Sequence, residues 1–542
     1  MKHPMKYILA SLVLLLHLTV SADAAEEHGG RTEMVATLKH YVEQFNAVDE
    51  EEGVNAIHNK DAFEFLTENI PLFECPDEDF QRSYYYRWWT YRKHLRQTED
   101  GWVVTEFYPD VSWAKKHNTI NCPLGHQIYE GRWLSDPKYI KEYIKFHFFG
   151  GGNPGGESKC YSNWLTDAVY AHYQVTGDKS FAIGLLDELI VNHRNYSKDG
   201  KGGRSDSRFY EDIGLYWQID SWDGSEVSIS GTGVRPSINS YLYGGAVAIA
   251  NIADLAGKTE VAKAYREEAE VLKKTMVEKL WDAEAQFFKT LRDDRAKGNY
   301  NNPRREDCES GSLVTVRELY GYAPWYFNMP DEGKGYEAAW AQLTDPQGFK
   351  GTFGPGFAER RHPNFDLRGG WSGCSWPLAT SQTLTALANV LNNYDQDVIG
   401  KQEYFDTLQG YTRSHVWVEG DGKRIPWIDE AVNQDTGRWI SHWTYPKTSG
   451  RYYNHSSYCD LIISGLVGLR PRADDIVEVN PLLPDDIWEY FCLDNVLYHG
   501  RILTIIWDKT GEKYKRGQGL TVFADGKKIA QSATLSRVSG KL

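Results

Sequence analysis

Apolar residues recur at helical spacing along most of this chain, from about residue 34 to 470. In "SNWLTDAVYAHYQVTGDKSF", Trp164, Leu165, Ala168, Val169, His172 and Tyr173 fall on one helix face, and Gly177 marks the stop before a second helix. The same unit returns at "NSYLYGGAVAIANIADLAGKTEVAKAYREEAEVLKKTMVEKLW". There Gly257 separates a helix of small residues from a charged one carrying Tyr265, Leu272, Met276 and Leu280. A third copy begins at "SWPLATSQTLTALANVL". Each unit predicts an antiparallel helix pair with a short turn. Small-residue helices inside, charged helices outside and long loops between pairs predict a mainly α fold, an (α/α)6 barrel over 34–470. The loops 105–126, 197–240, 294–312, 345–375 and 419–457 are too long to be mere connections and are expected to build the site.

After residue 471 the period changes to two. "IVEVNPLLP", "YFCLDNVLYHG", "RILTIIWDKTGEKY" and "GLTVFADGKKIAQSA" read as strands separated by DKTG and ADGK turns. A small antiparallel β domain is expected over 471–542. At the other end, Lys2 and Lys6 precede an apolar run from Tyr7 to Val20, followed by Ala22-Asp23-Ala24. Residues 1–24 therefore read as a cleavable signal peptide, and no Cys follows the apolar run as a lipid anchor would need. The expected location is periplasmic or secreted, with no inserted membrane span.

Composition narrows the chemistry. A formal net charge of −15 argues against nucleic acid as partner. Seven scattered Cys form neither a disulfide framework nor a zinc pattern, although a single pair such as Cys122 and Cys160 can bridge in an oxidising compartment. No P-loop, dinucleotide fingerprint or H-E-x-x-H occurs, and no cofactor or metal is expected. The 19 Trp and 34 Tyr stand out, many of them beside charged residues. Aromatic faces next to carboxylates and amides suit a sugar, whose C–H faces stack while its hydroxyls take polar partners.

Glycoside hydrolysis further requires two carboxyl groups flanking the scissile bond. One candidate loop is "QIDSWDGSEVSISGTG", with Asp220, Asp223 and Glu226 around Trp222; the other is "PWIDEAVNQDTGRWI", with Asp429 and Glu430. Each acid taken singly reads equally well as a helix cap or a solvated loop charge. Asp223 is expected as the general acid, because Gly224 and Ser225 beside it let a ligand approach, and Glu430 as the general base. Trp88, Trp113, His126, Glu130, Asp220, Trp222, Trp371, Trp376, Gln382, Tyr453 and His455 are the expected substrate contacts, with Arg87 and His117 as further candidates. Arg204, Arg208, Arg304, Arg305, Arg360 and Arg361 offer charge for an acidic substrate.

These stretches carry a resemblance. "DSWDGSE" followed by "LYGGAVAIANIADLAGK" and "LWDAEAQFFKT" resembles the family 63 and mannosylglycerate-hydrolase-like glycoside hydrolases, kin of trehalase. "GGWSGCSWPLATSQTLTAL" resembles their segment before an inner helix, and "IDEAVNQDTGRWI" the segment that supplies their catalytic base. "YYNHSSYCDLIISGLVGLRP" is similar to last-barrel-helix segments there and in families 65 and 78. The resemblance implies an (α/α)6 barrel and an inverting hydrolase with water as nucleophile. One departure is plain: where the family has Ser-Pro-Arg after the acid, this chain has Gly224-Ser225-Glu226. Three other activities remain on these residues. A toroidal polysaccharide lyase would use Tyr453 and His455, a glycoside phosphorylase would dispense with Glu430, and a glycan-binding protein would need no catalytic pair.

Overall fold

The computed structural model describes residues 22–51, 56–112, 114–151, 161–198, 206–296, 302, 304–367, 370–441 and 451–542. Six inner helical segments form a ring: Leu124–Gly131, Leu165–Thr176, Pro236–Leu255, Leu319–Tyr322 running into Ala323–Tyr326, Pro377–Asn393, and the turns of Leu461–Leu466. Neighbours in that series pack against one another around the ring. The last inner segment closes it on the first, because the Glu130 carboxylate accepts the main-chain N–H groups of Tyr458, Cys459 and Asp460. An outer layer includes Glu78–His94, Lys138–Lys145, Leu186–Asn195, Thr259–Leu280 and Lys401–Ser414. The expected (α/α)6 barrel is the fold.

The helix pairs follow from local chemistry. Gly177 and Gly257 end their helices at φ 69° and 70°, left-handed positions that favour glycine. Pro236 and Pro377 open inner helices, where a missing N–H costs nothing. On Pro236–Leu255 a Cβ at Gly244 would stand 2.1 Å from the Phe327 ring, so this helix needs glycine to approach its neighbour. Thr259–Leu280 buries Ala262, Tyr265, Ala269, Leu272, Met276 and Leu280 and exposes its charged face.

Glu78–His94 departs from expectation. "SYYYRWWTYRKH", which carries the expected contacts Arg87 and Trp88, is a helix whose residues from Ser83 to His94 are all buried. Asp77 caps it by accepting the N–H groups of Asp79 and Phe80, and Arg92, Lys93 and His94 fill its last turn. Its polar groups find distant partners: Arg87 reaches Tyr411 and Ser456, and Lys93 lies 2.5 Å from Asp49.

The C-terminal strands form an antiparallel sheet in the order Leu72–Glu74, Tyr490–Tyr498, Arg501–Asp508, Gly519–Ala524, Lys527–Ser532. The ADGK turn forms with Asp525 and Gly526 both at positive φ, as a two-residue hairpin requires. One edge strand comes from residues 72–74, far outside the 471–542 segment: Leu72 pairs with Asp494 and Glu74 with Cys492. Among the described residues no helix is long and apolar enough to cross a membrane. The 1–21 segment lies outside them, as does Cys160; Cys122 is a buried free thiol.

Candidate active site

The loop before Pro236–Leu255 starts as a strand, Leu215–Gln218, pinned between Phe209–Tyr210 and Gly233–Val234. A single helical turn, Asp220–Asp223, follows, and Gly224 reverses the chain at φ 71°. Asp223 faces inward from that turn. Its side chain has 0 % exposure, and one oxygen accepts from Arg235 Nε at 2.7 Å and from Ser237 Oγ. Arg235 also donates to Ser225 Oγ at 2.8 Å and Ser230 Oγ at 3.1 Å, and Glu318 holds Ser230 in turn. The arginine missing from the expected place after the acid thus arrives twelve residues later. It makes Asp223 half of a buried ion pair, with no surface to offer a substrate.

Asp220 is also turned inward, accepting from Thr232 Oγ1 at 3.2 Å and Asn302 Nδ2 at 3.1 Å. Trp222 is buried, with the Arg208 guanidinium over one face 5.1 Å from the ring centre.

Glu226 is the acid of this loop that remains accessible. Its Oε2 accepts from Trp371 Nε1 at 3.0 Å. Trp371 stacks on Trp376 with ring centres 4.2 Å apart and planes 20° from parallel. Trp376 Nε1 donates to the Tyr453 hydroxyl at 2.9 Å, and Tyr453 adjoins His455 and Phe107. Gly224 lies under this aromatic floor: a Cβ there would meet Cys122 Sγ at 3.0 Å and Trp376 at 3.2 Å.

Glu430 reaches the same place from the other side. Its strand-like segment is anchored by bridges from Val432 to Ser375 and Trp439, and its N–H donates to Asp429 Oδ1 at 2.7 Å. Asp429 is itself buried and accepts from Ser441 Oγ at 2.6 Å, whereas Glu430 is partly exposed. Both glutamates open to solvent yet lie below the protein surface, and loss of bulk hydration is the largest influence on each. Burial, followed at a distance by Asp220, pushes the Glu226 carboxyl up to about 7. Burial, then Glu226, Asp429 and Glu106, pushes Glu430 well above the ordinary carboxyl range. Burial, and after it Glu430, raise the Tyr453 phenol, which places that hydroxyl in the same field. Burial holds His455 neutral, down to about 3, with its ring bonded to the Glu106 main chain.

Glu430, Trp371, Trp376, Tyr453 and His455 therefore gather with Glu226. Four other expected contacts do not. Trp88 is packed edge-on against Tyr84 and Tyr91. His126 bonds the Leu378 carbonyl and stands edge-on to Trp164, Gln382 donates to Tyr241 OH, and Glu130 is spent on ring closure. Trp113 lies outside the described residues. His117 pairs with Asp100 at 2.7 Å. With Glu99 these two make a group of metal-type ligands, but Lys116 already sits on Asp100, occupying the place a cation would take. Sequence reading passed over Glu106 and Arg235, although the first lies in a long loop and the second just before an inner helix.

Residues 116–456 match the mannosylglycerate hydrolase MGH1-like glycoside hydrolase domain. The chain belongs to this family. Residues 469–530 match the C-terminal domain of glycosyl hydrolase family 65. A solved structure named as a sialidase is 43 % identical, with a TM-score of 0.85, over 93 % of this chain and 44 % of that one. This chain thus spans less than half of that relative's length. The family 63 mannosylglycerate hydrolase of Thermus thermophilus in complex with glucose gives a TM-score of 0.50 at 12 % identity, over 70 % of this chain and 99 % of that one. The family 78 rhamnosidase of a Bacillus species gives 0.54 at 13 %, over 81 % and 40 %. Both show a shared fold.

Proposed function

We propose that the protein is an exo-acting, inverting glycoside hydrolase whose catalytic pair is Glu226 and Glu430. The observation that carries this reading is the pair itself: two accessible carboxyls, both raised by burial and with Glu226 further raising Glu430, beside the stacked Trp371 and Trp376 rings. While Glu226 holds its proton it no longer opposes ionisation of Glu430, so one member can serve as acid while the other is ionised. Glu226, up to about 7, is assigned the proton and the leaving group. Glu430 is assigned the water because it faces the pocket from the opposite loop; burial, then Glu226 and Asp429, raise its carboxyl, and protonation of Glu226 favours the ionised form that activates water. Glu226 thus takes the role expected of Asp223, which is fully buried and holds Arg235 through one carboxylate oxygen. Exo action fits a barrel filled below the floor by Trp164, Tyr241 and Tyr326, leaving a dead end for one terminal sugar.

The same charges speak against the other chemistries. A phosphorylase must seat phosphate beside the acid, yet among the described residues the charged groups acting on the two glutamates are other carboxylates. A lyase needs a phenolate or imidazole base, but the Tyr453 phenol is pushed well up and engaged by Trp376. A protein that only binds glycan has no need of the pair. Residues 1–24 are proposed as an export signal.

The test is a panel of aryl α- and β-glycosides on Glu226→Gln and Glu430→Gln. Each should lose about 10²–10⁴-fold. Azide should rescue Glu430→Gln, and an activated leaving group Glu226→Gln; the reverse pattern exchanges the two roles. The first-formed product, followed by NMR, should carry inverted configuration, and retention would overturn the mechanism.

A further inference from the structure

The barrel has a second mouth. The catalytic residues lie at the starting ends of the inner helices, just before Leu124, Pro236, Pro377 and Tyr458. Opposite them, the finishing ends of the same helices surround a cavity of about 350 Å³. Between Pro236 and Asn251, which lines that cavity, Pro236–Leu255 rises about 20 Å at 1.5 Å per residue. Packed aromatics divide the two spaces: Trp164 lies 4.9 Å from the Tyr241 ring and donates to Tyr326 OH, and Gln382 donates to Tyr241.

The wall of this cavity is polar, which packing alone does not require. Arg132 is paired there with Asp460 at 2.8 Å. Arg470, half-buried on the short strand that leaves the barrel, makes no ion pair among the described residues; its guanidinium donates to Asn389 Oδ1 at 2.8 Å and to the Ser464 carbonyl at 3.4 Å. Burial and then the neighbouring Arg132 bear down on its charge, and Asp460 and Glu478 offset that only in part. Asp460 and Glu478 act on it from a distance, the first paired with Arg132 and the second with Arg472, so its direct hydrogen-bond acceptors are neutral and an anion in contact with it would add a charged partner. Around it are groups that match hydroxyls: Asp167, with one oxygen held by Tyr129 OH at 2.7 Å, and the Asn251 and Gln174 amides. The volume is at the small end of ligand pockets, about 300–1,000 Å³, enough for one ring and not for a chain.

We propose that this far mouth is a second ligand site that takes a single acidic sugar, its carboxylate on Arg470 and its hydroxyls on Asp167, Asn251 and Gln174. The site stands apart from the catalytic pair and does not depend on the reaction assigned to it. It also places recognition of acidic sugar away from the catalytic floor, where carboxylates crowd together.

D-galacturonate titrated into the full-length protein by calorimetry is the test, with neutral D-galactose as the control. Saturable binding of galacturonate is expected, with galactose weaker by about 10-fold or more from loss of the charged contact. Arg470→Gln, which keeps an amide donor for Asn389, should weaken galacturonate by a similar factor and leave galactose unchanged. Asn251→Phe, which fills the cavity from a half-exposed position, should abolish both. Both variants should hydrolyse aryl glycosides as the wild type does. Absence of saturable binding, or binding unaffected in either variant, would overturn the proposal. If Arg470→Gln does not fold, Asn251→Phe decides.

Discussion

Asp223 and Glu226 stand three residues apart in one loop, and their surroundings give them opposite duties. Asp223 is ion-paired inside the protein, so Asp223→Asn leaves Arg235 buried without its partner, at a cost of about 3–5 kcal/mol. Urea denaturation should show that loss, and Arg235→Gln added to Asp223→Asn should restore much of it, because the uncompensated charge is then gone. Glu226→Gln should behave in reverse, with activity lost and stability kept. The sign of its pH dependence follows from the raised carboxyl. A group held at about 7 in the folded state and 4.5 when free favours folding fully below 4.5, and loses that contribution as pH rises through 7. The wild type should therefore lose melting temperature relative to Glu226→Gln between pH 4.5 and 7, and the two should coincide at pH 4. Parallel melting curves across that window would remove Glu226 from its assigned environment.

At the scale of elements, Glu130 shows how a polar residue is put to structural use. The first N–H groups of a helical segment have no partners within it, and those of Tyr458, Cys459 and Asp460 are deep in the protein. Glu130→Ala should cost about 3–9 kcal/mol, since each of the three stranded donors forfeits about 1–3 kcal/mol. Glu130→Gln, which keeps one accepting oxygen, should cost less. KM for an aryl glycoside should not move in either folded variant; a change in KM with unchanged stability would return Glu130 to the substrate.

The helix pairs were legible in the chain, because the 3.6-residue period and the glycine stops are local and Gly177 and Gly257 do what their sequence says. The roles of single acids were not. Asp220, Asp223 and Glu226 look alike in a line of residues, and what separates them is an arginine twelve positions on and a tryptophan 145 positions away. Trp88 and Arg87 misled in the same way. Polar neighbours in sequence suggested an open surface, yet a barrel of this size buries a whole aromatic helix by meeting its polar groups with partners more than 300 residues distant.

For the whole molecule, the two ends of the barrel sequence are closed by each other and by the C-terminal strands. Glu78–His94, early in the chain, packs in the outer layer against Lys401–Ser414, near the barrel's end. Phe80 at its start lies 5.5 Å from Phe405 and 5.2 Å from Trp488, and Phe73 lies 6.4 Å from the same tryptophan. Trp488 belongs to the region after residue 470, and so does the strand that pairs with Leu72–Glu74. The C-terminal unit is therefore part of the ring's outer wall. Ending the chain at residue 470 uncovers Phe73, Phe80 and Phe405 and strips a strand of its hydrogen bonds. At about 1.5–3 kcal/mol for each large apolar side chain, that loss approaches the whole net stability of an ordinary folded protein, about 5–15 kcal/mol. A chain of residues 25–470 should give no soluble species with a cooperative melt, and co-expression of 471–542 should recover one, since strand pairing and the Trp488 contact need no covalent link. A soluble 25–470 chain that melts cooperatively within a few degrees of the full protein would show that the barrel closes without them.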